Sequence, residues 1–99
     1  MTATNNEIHK LLKLVANTNP AQNAFNELMI AADDAESRGW NIRKGGYSPS
    51  SKKSIAYIYA SKDGDETRIW ECITQSAGYF QPLTAPKLAS LKEAIDNLQ

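Results

Sequence analysis

The chain has 99 residues, 41% of them hydrophobic and 22% charged, the composition of an ordinary globular protein and a length that fits one domain over 1–99 with no room for a second core. Eleven basic residues balance eleven acidic ones, a formal net charge of zero, which speaks against a protein devoted as a whole to holding phosphates. The start MTATNNEIHK lacks the build of a secretory signal, the longest apolar run (28–32) is far below the roughly 20 residues needed to cross a bilayer, and the single cysteine, Cys72, can close no internal disulfide; the expectation is a cytoplasmic protein with no membrane partner.

Thr4 and Glu7 have the spacing of a capping box, and Ile8, Leu11, Leu12 and Val15 recur at helical spacing, which predicts a first helix over 5–16. Residues 17–20 break it, with Pro20 placed to open a second helix over 20–38 whose apolar side is Ala24, Phe25, Leu28, Met29, Ala32 and Ala35 and whose end is Gly39. From Trp40 the period becomes alternating. WNIRK, SIAYIYAS and TRIWECIT predict three antiparallel strands within 40–74, the first two joined by the loop 45–54 and the last two by the hairpin dipeptide Asp63-Gly64. Thr84 and Pro86 open a last helix over 85–98 with Leu88, Leu91, Ile95 and Leu98 on one side. The expected class is α+β in the order α-α-β-β-β-α, a three-stranded antiparallel meander packed against helices.

A two-residue turn at Asp63-Gly64 sets Tyr59 opposite Arg68, Tyr57 opposite Trp70 and Ile55 opposite Cys72 on one face. The other face then carries Ala56, Ile58, Ala60, Ile69 and Ile73, with Trp40 and Ile42, and is expected to meet the helices. A slip of one residue exchanges the two sets on one strand. Three helices also suffice to cover both faces, in which case Tyr57, Tyr59 and Trp70 form a second core layer, the commoner fate of large aromatics.

Between Arg38 and Lys62 there are six basic residues and no acidic one, bracketed by Asp33, Asp34 and Glu36 on one side and Asp63, Asp65 and Glu66 on the other. The loop 45–54, expected to be mobile, carries Lys52, Lys53 and Tyr47, groups able to hold a nucleic-acid backbone or simply to keep a sheet edge soluble. The order α-β-β-β-α over 20–98 resembles the double-stranded-RNA-binding domain, in which the loop between the first two strands reaches into a groove. Where that family has a basic cluster at the start of its last helix, this chain has TAPKLAS, with Lys87 as its one charge.

No catalytic, metal or cofactor signature emerges, so no enzyme activity and no cofactor are expected. His9 and Cys72 have no spacing that joins them, DGDE at 63–66 lacks the later ligands of a calcium loop, Gly45-Gly46 opens no helix, and Asp33-Asp34 point apart on theirs. The expected function is a small binding protein, adaptor or inhibitor, that recognises a protein through an aromatic and arginine sheet face, a sheet edge or the basic loop. Its candidate residues are Arg43, Lys44, Tyr47, Lys52, Lys53, Tyr57, Tyr59, Arg68 and Trp70. The alternative is a nucleic-acid-binding module built on the same loop and sheet aromatics, and under either reading two copies could pair through an edge strand.

Overall fold

A computed structural model describes residues 6–99; Thr4, and with it the expected capping box, lies outside them. The predicted first helix is divided into α1 (Asn6–His9) and a 3-10 turn at Leu12–Leu14. The end of the 3-10 turn has a visible cause. Leu83 clamps the chain here: its carbonyl accepts from the Ala16 N–H at 2.9 Å and its N–H donates to the Leu14 carbonyl at 2.7 Å. This draws Val15 into extended backbone, while Ile8 and Leu11 are fully buried. So short a helix has little stability of its own and yields to such packing.

Helix α2 (Asn19–Ser37) starts where Thr18 accepts the Ala21 N–H on its hydroxyl at 3.2 Å, with Pro20 in the first turn. It ends in a Schellman motif: Gly39 at φ +99° lets its own N–H reach the Glu36 carbonyl and that of Trp40 reach Ala35. Helix α3 (Ala85–Asp96) begins after Thr84, whose side chain makes no capping bond, contrary to expectation, and stops two residues short of the predicted end.

Among the described residues the sheet has four antiparallel strands, not three: β1 (Asn41–Ser50), β2 (Lys53–Lys62), β3 (Asp65–Ser76) and β4 (Tyr79–Phe80), paired in chain order. The expected mobile loop 45–54 is instead a continuation of the first hairpin, with Gly45 opposite Tyr57 and Gly46 opposite Ala56, and only residues 51–52 outside the strands. Pro49 is tolerated because β1 is an edge strand. The added strand follows a tight turn at Ala77 (φ +53°) and Gly78 (φ +81°), the same backbone solution as the predicted turn at Asp63 (φ +56°) and Gly64 (φ +90°).

Helices α2 and α3 pack on each other and on one face of the sheet, burying Phe25, Leu28, Leu88, Leu91 and Ile95 against Ile42 and Ile58. Small Ala56 and Ala60 flank Ile58 on that face, and the molecule measures 39 × 31 × 22 Å, thin enough for one sheet and one helical layer.

The strand register departs from the sequence expectation first at Ile69. Lys62 faces Asp65 and Tyr59 faces Arg68 as the two-residue turn requires, but Ile58 then faces Trp70, Tyr57 faces Glu71, Ala56 faces Cys72 and Ile55 faces Ile73. Ile69 is an extra residue, a β-bulge, and beyond it the alternation of β3 is inverted. Trp70 and Cys72 therefore turn toward the helices and Ile73 away from them, the reverse of the expected assignment. Thr74, two residues beyond Cys72, also turns inward and is only 6% exposed, and a second bulge there brings Gln75 opposite Ser54.

Candidate functional site

The sheet face away from the helices collects the aromatics. Residues 53, 55, 57, 59 and 61 of β2 share this face by the strand alternation, and their partners are Tyr47, Gly45, Arg43 and Asn41 on β1 and Ser76, Ile73, Glu71, Arg68 and Glu66 on β3. Tyr79 joins it through its pairing with Ser76. All four tyrosines of the chain thus lie on one side of the sheet, and both tryptophans pack toward the core on the other. Among the described residues no helix covers the tyrosine face, so the expected second core layer is absent: Tyr57 and Tyr59 are half-buried, Tyr47 is 57% and Tyr79 76% exposed.

The centre of the face is ordered by contacts between its own side chains. The Tyr57 and Tyr59 rings tilt toward each other with centroids 6.2 Å apart. Arg43 lies over Tyr59 at 4.3 Å and Arg68 over Tyr57 at 4.7 Å. The Tyr59 ring reaches across Gly45 so closely that a Cβ there would stand 2.8 Å from its Cε2 atom; the glycine makes room for the ring. Both arginines are matched by acids. Arg43 donates two hydrogen bonds to Glu66, at 3.0 and 3.2 Å, and Arg68 stands 3.5 Å from Glu71. The hydrogen bond from Arg43 holds the Glu66 carboxyl below its ordinary pKa, and the same bond raises that of Arg43.

Of the residues singled out from sequence, Arg43, Tyr47, Lys53, Tyr57, Tyr59 and Arg68 share this face, with Lys53 and Tyr47 near the end of the first hairpin. Lys52 is exposed in the turn beside them. Lys44 alternates to the helix face of β1, where its backbone N–H donates to Glu7 Oε1 at 3.0 Å. Trp70 is removed from the face altogether: its indole N–H donates to Ser90 Oγ of α3 at 2.9 Å, fixing sheet to helix. Ile55 lies on the face where the sequence set it, beside the tyrosines, whereas sequence reasoning missed Ile73, Glu66, Glu71 and Tyr79 as members. The signal for Tyr79 was present in SAGYF, an aromatic pair after a small-residue turn; nothing local marked Ile73, whose place depends on the bulge.

Elsewhere, burial pushes the Cys72 thiol up from its ordinary pKa, so it is held as the neutral thiol rather than the nucleophilic thiolate. His9 is exposed and meets the edge of Phe25 at 6.2 Å. Among the described residues no three His, Cys, Asp or Glu side chains stand close enough to share a metal ion, and no helix is long and apolar enough to cross a membrane. In comparisons with known proteins, the chain matches no family model, no curated protein and no solved structure.

Proposed function

We propose that this chain is a non-enzymatic protein-binding module, an adaptor or inhibitor, that docks a protein partner on the tyrosine face of its sheet. One observation carries the reading: four tyrosines with Ile55 and Ile73 line a face that no described helix covers, and the two arginines there are already paired with glutamates. Tyrosine and arginine anchors within an apolar patch are what protein interfaces use. Charge-matched arginines offer little unspent attraction to a polyphosphate, which favours a protein over a nucleic acid at this face.

The test compares wild type with Tyr57→Ala/Ile73→Ser in crosslinking capture from the host, with folding checked by urea unfolding. A partner held by the wild type and lost by a folded variant supports the face; equal capture by both overturns it. The nucleic-acid alternative draws on the end of the first hairpin, where Lys52 and Lys53 are exposed and no acid lies between Arg38 and Lys62. It predicts DNA or RNA binding that changes tryptophan fluorescence and weakens steeply with salt, whereas the protein reading predicts none even at low salt.

A further inference from the structure

On the helix side of the sheet, at the end carrying the first hairpin turn, a cleft of about 300 Å³ opens between the 3-10 turn and the strands. Its polar walls are Lys13, Lys44, Ser48, Ser54 and Thr74, and Phe80, 57% exposed, forms an apolar wall. Its volume is at the lower end of the range for small-molecule sites.

The charges in this cleft are unbalanced. Of the three lysines nearby, Lys10 is neutralised by Glu7 at 2.7 Å, and the other Glu7 oxygen takes the Lys44 backbone N–H. Among the described residues no carboxylate lies within ion-pair reach of the Lys13 or Lys44 ammonium. The Lys44 side chain folds along the strand edge, with Nζ 3.9 Å from where a Cβ on Gly46 would stand. Gly46 lines the cleft, and on an edge strand its N–H faces the same way as that of Lys44, away from β2. The Ser48 and Ser54 hydroxyls stand 3.0 Å apart and Ser54 Oγ also donates to Gln75 Oε1 at 3.4 Å; rotation of either hydroxyl out of these contacts turns a donor to a bound anion. Two ammonium groups, a backbone N–H and a hydroxyl pair beside an aromatic ring match a dianion on a small organic body, and a phosphate monoester carries nearly two negative charges at neutral pH.

We propose that the cleft binds a small phosphate monoester, its phosphate between Lys13 and Lys44 and its organic group against Phe80. Most of its lining lies on the helix side of the sheet, but Tyr47 and Ile55 of the protein-binding face also border it, so the two sites adjoin at this end of the first hairpin. Burial first, then repulsion from Lys13 and Lys10, lowers the pKa of Lys44 against an opposing pull from Glu7; a bound phosphate raises it.

Calorimetric titration with phenyl phosphate, inorganic phosphate and benzoate tests the proposal on wild type, Lys44→Met, Lys13→Met, Phe80→Ala and, as a control on the helical layer, Lys92→Met. Phenyl phosphate is expected to bind best. Each lysine change in the cleft should weaken it by about tenfold, the worth of one charged hydrogen bond. Phe80→Ala should weaken phenyl phosphate but not inorganic phosphate, and Lys92→Met should change neither. Amide shifts of Gly46, Ser48 and Ser54 on adding inorganic phosphate to wild type give a readout that needs no variant. Unchanged affinity in both cleft lysine variants, or no shifts at those amides, overturns the proposal. Preference for benzoate overturns the choice of phosphate, and tighter binding of a short oligothymidylate with the same amide shifts overturns the choice of a small molecule.

Discussion

At the scale of single residues, the two sides of β2 and β3 predict opposite responses to truncation. Trp70 is packed against the core and bonded to Ser90, so Trp70→Ala should cost about 3 kcal/mol and Trp70→Phe about 1 kcal/mol in urea unfolding. Tyr57 loses only a half-exposed ring and its stack with Arg68, and Tyr57→Ala should cost no more than about 1 kcal/mol. If Tyr57→Ala proved as damaging as Trp70→Ala, the tyrosine face would be a core. Glu7 provides a pH signature. Its carboxyl is held below the ordinary 4.5 first by the hydrogen bond from Lys10, then by the Lys44 N–H. Because the folded pKa is depressed, this contribution is complete above 4.5 and is lost as pH falls through the folded value. Glu7→Gln should therefore flatten the stability profile below pH 4.5 while leaving its shape above that range unchanged, as read by urea midpoints across pH.

At the scale of elements, glycine positions separate turn from strand. Gly64 sits at φ +90° with open space around its Cα, so Gly64→Ala should destabilise by about 1 kcal/mol through backbone strain alone. Gly46 has no such φ, and a Cβ there would touch the Ile55 carbonyl at an ordinary 3.5 Å; Gly46→Ala should be neutral or slightly stabilising in the same urea assay. Gly45→Ala instead displaces the Tyr59 ring from β1, and NMR shifts of the Arg43 side chain should report the lost stack. The bulge at Ile69 reconciles two demands on β3: the Asp63-Gly64 turn sets one register, and burial of Trp70 under α3 requires the other.

At the scale of the molecule, the fold divides into a helical layer that supplies the core and a sheet whose other face no described helix covers. The protein's charge is neutral in sum but not in place: Asp63, Asp65 and Glu66 stand at one end of the β2–β3 hairpin, Lys52 and Lys53 at the other end of β2. The edge of β1 is partly occupied, since Glu7 takes the outward N–H of Lys44; Glu7→Gln weakens that acceptor, and a rise in apparent mass by sedimentation would mark pairing of two copies through this edge.

The sequence alone determined what depends on neighbours a few residues apart. The helical spacing of α2 and α3, the stop at Gly39, the positive-φ turn at Asp63-Gly64 and the α+β class all follow from local sterics and periodicity. Tyr57, Tyr59, Arg43 and Arg68 sharing a face follows from the same source, because the register holds from the turn as far as Arg68. Tertiary structure decided the rest. Leu83 ended the first helical segment by bonding residues about 70 positions away; pairing with β2 turned the glycine-rich loop into strand; and the pull of the core on Trp70 inserted the bulge that moved it, Cys72 and Ile73 to new faces. A bulge has no signature in the alternation it interrupts, since an extra residue and a true one look alike until a helix offers one of them a place to be buried.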